Sequence, residues 1–359
     1  MDEKIFSGLK IVELASVLAG PLVGSFFSEL GAKVIKIENK LSGGDVTRGW
    51  KLAEESSDSP VSAYYSSANY NKTILKLNLN DRSDRETAHA HIEDADIVVA
   101  NFRAEKAEAF QMDFNSLKKI KTDIIYGLIT GYGVDDVRTA YDVVLQAESG
   151  YMSMNGTPSS GPVKLPVAFM DVLTAHQLKE GLLCALYKRS ETGKGSLVHV
   201  SLYDTAISSL TNQASNYLMT GRIAQRMGTL HPNLAPYGEV FCSSDNVFFV
   251  LAIGSDSQFN SLTNVLDIPD LAADKRYGTN RERVIHRKEL FSVLKDAFNV
   301  FNMLEISQNL QVNNIPFGII RTIDQVFQDP SAQSLILDEI LEDQPTKRVR
   351  TAVFKISDN

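Results

Sequence analysis

Cysteine is scarce in this chain of 359 residues: there are two, Cys184 and Cys242, both in apolar segments and without CxxC spacing. That excludes a disulfide framework or a thiolate metal site, and suits two buried thiols in a reducing cytoplasm. No apolar run approaches the length that crosses a bilayer, so no membrane partner is expected. The start, Met1-Asp-Glu-Lys-Ile5, lacks the basic and apolar regions of a secretory signal. A basic block is missing as well. With a net charge of −8, nucleic acid is not expected as a partner, and an anionic ligand must be held by local groups against the overall field. His89 and His91 form a His-x-His that a helix does not place on one face, so no metal site is expected there.

What is present suits a soluble α/β protein of two domains. Residues 9–16 read as a buried strand, Leu22, Phe26, Phe27 and Leu30 as one face of a short helix, and Lys33–Glu38 as a second strand. This βαβ unit predicts a parallel sheet. The loop after its first strand, Ser16-Val-Leu-Ala-Gly-Pro21, does not carry the GxGxxG of dinucleotide sites, yet the crevice at the strand ends remains the expected ligand site. Further strands are expected at 69–79, 96–103, 123–130 and 196–202, with a helix at about 81–94. Arg48, in the loop that carries Trp50, forms either a surface ion pair or an anion contact. His199 alternates within its strand and reads as a hydrogen-bonded core residue. From 203 a long helix is expected to act as a linker, and after 228 the character changes to short strands and helices. The stretch 347–354 could add one more strand.

One carboxylate stands out. The seven residues before Asp171 hold no acid, and the next acid downstream is Glu180. Val172, Leu173, Leu178, Leu182, Leu183 and Leu186 then recur at helical spacing, so Asp171 falls where an extended segment enters a helix. Two roles fit that place. Asp171 could be an N-cap, accepting a first-turn N–H, or a nucleophile or base in a cleft beside a helix N-terminus.

Many ordered segments together resemble the family III CoA-transferases, the CaiB/BaiF group, which includes formyl-CoA transferase, carnitine CoA-transferase and α-methylacyl-CoA racemase. The matching stretches are Leu9-Lys-Ile-Val-Glu-Leu14, Ala19-Gly-Pro21, Leu30–Glu38, Gly44-Asp-Val-Thr-Arg48 and Asn71-Lys72. They continue through Asn101-Phe-Arg103, Gly131-Tyr-Gly133, Tyr141-Asp142 with Gln146, Ser149-Gly150, Thr192–Gly195, and His231-Pro232 with Pro236-Tyr237. The resemblance spans residues 5–330, and no single motif carries it.

It implies a Rossmann-like large domain with a parallel sheet, a smaller α+β domain, and two copies interlocked as a homodimer. Residues 1–202 would begin the large domain, 203–228 form the linker helix, 229–322 the small domain, and 323–359 a return segment. The resemblance makes Asp171 the catalytic carboxylate, attacking an acyl-CoA thioester to give an aspartyl–acyl anhydride, with first-turn donors holding it ionised. Coenzyme A enters as the substrate thioester, and no metal is implied. Val17, Leu18 and Ala19 would pack near its thiol end, and Leu77, Asn78 and Leu79 would line the adenine. Asn101, Phe102 and Arg103 would lie beside the nucleotide or pantetheine, with Arg138 another contact and Tyr141 near the reacting end. The family often has arginine after the strand-ending glutamate and again at position 109. Here those positions are Asn39 and Ala109, leaving Lys40 or Arg48 to meet the phosphates. Gly131, Gly133 and Gly150 are candidates for close backbone approach to an oxyanion. The racemase branch pairs its aspartate with a histidine; here Ala140-Tyr141-Asp142 offers tyrosine, a poor base. Transferase is therefore the expected activity, racemase or a CoA-binding subunit without turnover the alternatives.

Overall fold

The computed structural model describes residues 4–357. The chain divides into two compact units. One contains the N-terminal part through Tyr151, Lys164–Arg222 and the C-terminal segment from Ser331; the other contains Met152–Val163 and Ile223–Pro330.

The first unit is built on six parallel strands: β1 (Lys10–Leu14), β2 (Lys33–Asn39), β3 (Lys72–Leu77), β4 (Ile97–Ala100), β5 (Ile125–Thr130) and β6 (Ser196–Ser201). Their order is β3-β2-β1-β4-β5-β6, with Ile11 facing Val34 on one side and Ile97 on the other. Both faces are covered, which is why β4 reads as a continuous apolar run and why Glu13, the one charged residue buried in β1, is paired with Lys36 and Lys72. Alternate residues serve opposite cores. Ile11, Val34, Ile97 and Val99 pack with α1 (Ala19–Glu29) and with Leu178 and Leu182. Val12, Leu14, Val98 and Ala100 pack with Ile92 and Leu117 on the other face.

The remaining helices of this unit follow in order. They are α2 (Ala63–Ser66), α3 (Arg82–Glu93), α4 (Ala104–Ala109), α5 (Phe114–Ile120), α6 (Asp142–Glu148), α8 (Phe169–Thr192), α9 (Leu202–Ser208) and α10 (Thr211–Thr220); the single turn α7 (Tyr151–Met154) starts on the last residue before the second unit's segment Met152–Val163. Pro21 lies in the first turn of α1, where a missing N–H costs no intrahelical bond. Gly20 lets that turn close onto β1, since a Cβ there would strike the Ala15 side chain.

Residues 203–228 are not one helix. α9 ends at Ser208, Thr211 takes a positive φ of 41°, and Gly221 closes α10 in the left-handed conformation. The two thiols are not buried either: Cys184 is exposed and Cys242 half-buried. α8 presents Met170, Thr174, Leu178, Leu182 and Ala185 inward, and Cys184 shares the outer side with Leu183 and Tyr187. His199 is exposed on the edge strand β6, not enclosed in the core, with Nε2 2.8 Å from Thr130 Oγ1.

The second unit carries an antiparallel sheet of β7 (Tyr237–Cys242), β8 (Phe248–Ala252) and β9 (Phe317–Ile319). Its core joins Phe241, Phe249, Phe259, Leu294, Phe298 and Leu310. Near the C-terminus, β10 (Ile336–Leu341) and β11 (Gln344–Val349) form a hairpin where the sequence suggested one later strand. Its two turn residues, Glu342 and Asp343, both take positive φ (47° and 62°), as a two-residue hairpin turn of this hand requires. Among the described residues no helix is long and apolar enough to cross a membrane.

Candidate active site

The strand order reverses between β1 and β4, and at such a switch point the loops leaving the two strands diverge and open a crevice. Those loops are tied to each other. Ser16 N–H donates to Asn101 Oδ1 at 3.2 Å, and Asn101 Nδ2 returns a bond to Ser16 O at 3.0 Å. Val17, β-branched yet at φ 74°, is held there by donating its N–H to Asp45 Oδ2 at 3.2 Å.

Asp45 is itself anchored. Lys36 Nζ bonds its Oδ2 at 2.9 Å, Glu13 Oε1 at 3.0 Å and Ala15 O at 3.1 Å, and Lys72 Nζ meets Glu13 Oε2 at 2.8 Å. Burial disfavours the Asp45 charge, but Lys36 and the Thr47 donors outweigh it and hold the carboxyl below its usual range. Two buried lysines thus meet two buried carboxylates behind the β1 loop; Lys36 is held charged, while burial brings the Lys72 ammonium down to about 7.

The crevice is a cavity of about 630 Å³, a volume typical of small-molecule sites. Val17, Ala19, Asn101, Phe102, Arg103, Arg138, Tyr141 and Asp171 all line it. Leu18, Lys40, Arg48, Leu77, Asn78 and Leu79 do not. Leu18 is the buried N-cap of α1, and Leu79 packs in the core that holds Ile92 and Leu117. Leu77 is half-buried at the end of β3, and Asn78 gives its N–H to Asp84 at 2.7 Å. Lys40 is exposed on the 3-10 turn after β2.

Arg48 is not available to a phosphate. Its Nε lies 2.8 Å from Glu38 Oε2, and its Nη2 bonds Tyr65 Oη at 2.6 Å and Glu342 Oε1 at 2.9 Å. Arg138 is exposed but ion-paired, 2.8 Å from Asp136 and 3.5 Å from Glu148, with its guanidinium 3.6 Å from the Tyr132 ring centroid. Arg103 is exposed, and its Nη2 donates to the neutral Thr139 Oγ1 at 2.6 Å.

Asp171 is the third residue of α8 and half-buried. It does not cap its helix: the N-cap is Ala168, and the Met170 N–H is taken instead by Asp142 Oδ1 at 2.7 Å. Asp142 Oδ2 accepts from Gln146 Nε2 at 2.6 Å, and Gln146 Oε1 accepts the Leu165 N–H at 2.7 Å. Burial, then the like charge of Asp142, push the Asp171 carboxyl up to about 7. The expected hold of first-turn donors on its charge is not found: no hydrogen bond reaches the Asp171 carboxylate among the described residues, and burial and Asp142 alone set the shift. The same carboxylates reach Tyr64, whose ring meets Trp50 edge-on at 5.0 Å. Burial, followed by Asp171, Asp142 and Asp45, raises its phenol to about 12.

Gly133, at φ 129°, has its N–H on Thr130 Oγ1 at 3.1 Å, so that donor is occupied. Gly131 is needed for close packing on Ala140, and Gly150 does not line the cavity. Asp142, Gln146 and Tyr64 carry roles that the sequence did not assign. The i, i+4 spacing of Asp142 and Gln146 is the one signal that pointed to a shared helix face.

A half-buried carboxylate at a cavity wall, with a raised proton affinity and a neighbouring acid, suits nucleophilic or proton-transfer chemistry. Comparison with known proteins narrows this. Residues 6–358 match CoA-transferase family III. A succinate–glutarate CoA-transferase of Agrobacterium fabrum is 35% identical over 91% of this chain and 83% of its own length. A succinyl-CoA:glutarate CoA-transferase of Homo sapiens is 32% identical over 91% of this chain and 74% of its own. A CAIB/BAIF family protein from Brucella suis superposes with a TM-score of 0.82 at 34% identity, covering 98% of this chain and 92% of that one.

Proposed function

This chain belongs to CoA-transferase family III, and we propose that it moves CoA between an acyl-CoA and a free acid by covalent chemistry on Asp171. The observation that carries this reading is the Asp171 carboxylate at the head of α8, on the wall of the cavity where the β1 and β4 loops diverge. An ionised carboxylate is itself a nucleophile and needs no partner base.

In the proposed cycle an Asp171 oxygen attacks the thioester carbonyl, and the C–S bond breaks to give an aspartyl–acyl anhydride and CoA thiolate. The thiolate attacks the aspartyl carbonyl and expels the first acid as its carboxylate, leaving an aspartyl–CoA thioester. The second acid's carboxylate attacks that thioester and releases the thiolate again. Thiolate attack on the incoming acyl carbonyl then forms the new acyl-CoA and restores the Asp171 carboxylate. Charge passes between oxygen and sulfur at each step without net proton transfer.

The named relatives act on succinate and glutarate, so we extend the reading to dicarboxylic acids as donor and acceptor. Six carboxylates and two guanidinium groups line the cavity. The CoA phosphates accordingly belong at its rim, with Arg103 as their principal contact. Racemisation is disfavoured because Tyr141, not histidine, precedes Asp142. The reading also includes an interlocked dimer, for which Leu183 and Tyr187 of α8, Leu197 of β6 and Leu218 of α10 offer exposed apolar surface.

The test is CoA exchange between succinyl-CoA and free glutarate. Asp171→Ala should stay folded and lose exchange, and full activity in that variant refutes the nucleophile. Extensive α-deuteration of an α-methylacyl-CoA in D₂O would favour the racemase, and binding without either reaction a CoA-binding subunit.

A further inference from the structure

The first residue of α6 directs its side chain away from its own helix axis toward another helix. Asp142 takes the Met170 N–H at 2.7 Å, and Gln146, one turn later and fully buried, takes the Leu165 N–H at 2.7 Å. The two side chains are locked to each other at 2.6 Å. Together they grip both ends of the segment 165–170 that delivers Asp171. That segment has no cap of its own, because Ala168 has no side-chain acceptor. An asparagine at 142 could accept the Met170 N–H without a charge, but its NH₂ could not accept from Gln146 Nε2 as the second carboxylate oxygen does. A second carboxylate beside the first carries a like-charge cost, and the chain bears that cost at the point where the segment delivering Asp171 is held.

We propose that Asp142, braced by Gln146, is a positioning residue for acyl transfer, holding the first turn of α8 so that the Asp171 carboxylate stays aimed at the thioester carbonyl. The proposal rests on the reading of Asp171 as nucleophile. Its charge adds to the effect. When Asp171 is acylated its negative charge leaves with the CoA sulfur, so repulsion from Asp142 present before attack is relieved as the new bond forms. Asp142 makes no hydrogen bond to the cavity-lining residues Val17, Asn101 and Arg103, so its loss should fall on turnover, not on acyl-CoA binding.

The test uses the full-length chain and succinyl-CoA with glutarate. Asp142→Ala should lower kcat roughly ten- to a hundredfold, with KM for succinyl-CoA held within about twofold, as expected when a reacting group is displaced by about 1 Å. In Asp142→Asn, a side-chain amide that accepts from Met170 turns its NH₂ toward the Gln146 NH₂, two donors face to face. Adding Gln146→Glu supplies an acceptor for both that amide and the Leu165 N–H. The double variant should therefore recover most of the kcat lost in Asp142→Asn, which general loss of stability would not predict. Wild-type kcat in Asp142→Ala, or a double variant no faster than Asp142→Asn, overturns the proposal. If Asp142→Ala does not fold, the comparison of Asp142→Asn with the double variant decides alone. Hydroxylamine capture of acylated Asp171 in the wild-type protein separates the two claims. If capture fails, the nucleophile is wrong; if capture succeeds and the variants show wild-type kcat, only the positioning role is wrong.

Discussion

Replacing Asp171 by asparagine should abolish transfer and at the same time make the first unit more stable above neutral pH. The carboxyl titrates near 7 in the folded chain against an ordinary value of 3.8, raised first by burial and then by Asp142. A gap of about three units corresponds to about 4 kcal/mol. Between the two values the folded chain keeps a proton that the unfolded chain has lost, so stability falls as pH rises from about 4 to about 7. Above that window the full cost is present; below it the two states bind the proton alike. Solvent reaching this half-buried group reduces the figure, so a gain of about 2–4 kcal/mol is expected for Asp171→Asn at pH 8, and about 1 kcal/mol at pH 5. Trp50, the one tryptophan, lies in the first unit and reports its unfolding in urea. A variant no more stable than wild type at pH 8, or a gain at pH 5 equal to that at pH 8, would refute the reasoning.

The same group sets the acid limb of the pH–rate profile: kcat/KM for acyl-CoA should rise about tenfold per unit below pH 7 and level off above it. A flat profile between pH 5.5 and 8 would contradict it. Arg48→Ala should destabilise the fold by about 3–5 kcal/mol, because Glu38 is left buried without its partner. Urea denaturation measures this, and a loss under 1 kcal/mol would show the pair to be dispensable. Arg103→Ala should raise KM for acyl-CoA about tenfold with kcat little changed, the worth of one charge-assisted hydrogen bond. Unchanged KM would move the phosphates elsewhere.

The parallel sheet was legible because strands covered on both faces must be apolar throughout, as Ile97–Ala100 are. The head of α8 was legible too, since an acid-free extended run precedes a helical repeat. Other features depend on partners distant in the chain, which residue type alone does not name. Arg48 and Glu38 are ten residues apart, and which of Arg48, Lys40 and Arg103 remains free follows only from the fold. Asp142 caps a helix that begins 27 residues later, a role without a local signature. Exposure of His199 and Cys184 follows from their places on an edge strand and an outer helix face, which period-2 and period-3.6 patterns do not distinguish from a second buried side. The hairpin turn Glu342-Asp343 lacks the glycine that usually marks positive φ, so no local signal marks β10 and β11 as a pair.

The central claim is that the acyl group rests on Asp171 during transfer. Incubating the protein with succinyl-CoA and hydroxylamine, then mapping peptides by mass spectrometry, tests it directly. A hydroxamate at Asp171, absent without acyl-CoA and absent in Asp171→Asn, is the predicted result. Turnover that proceeds with Asp171 unmodified, or with the hydroxamate on another carboxylate, would contradict it.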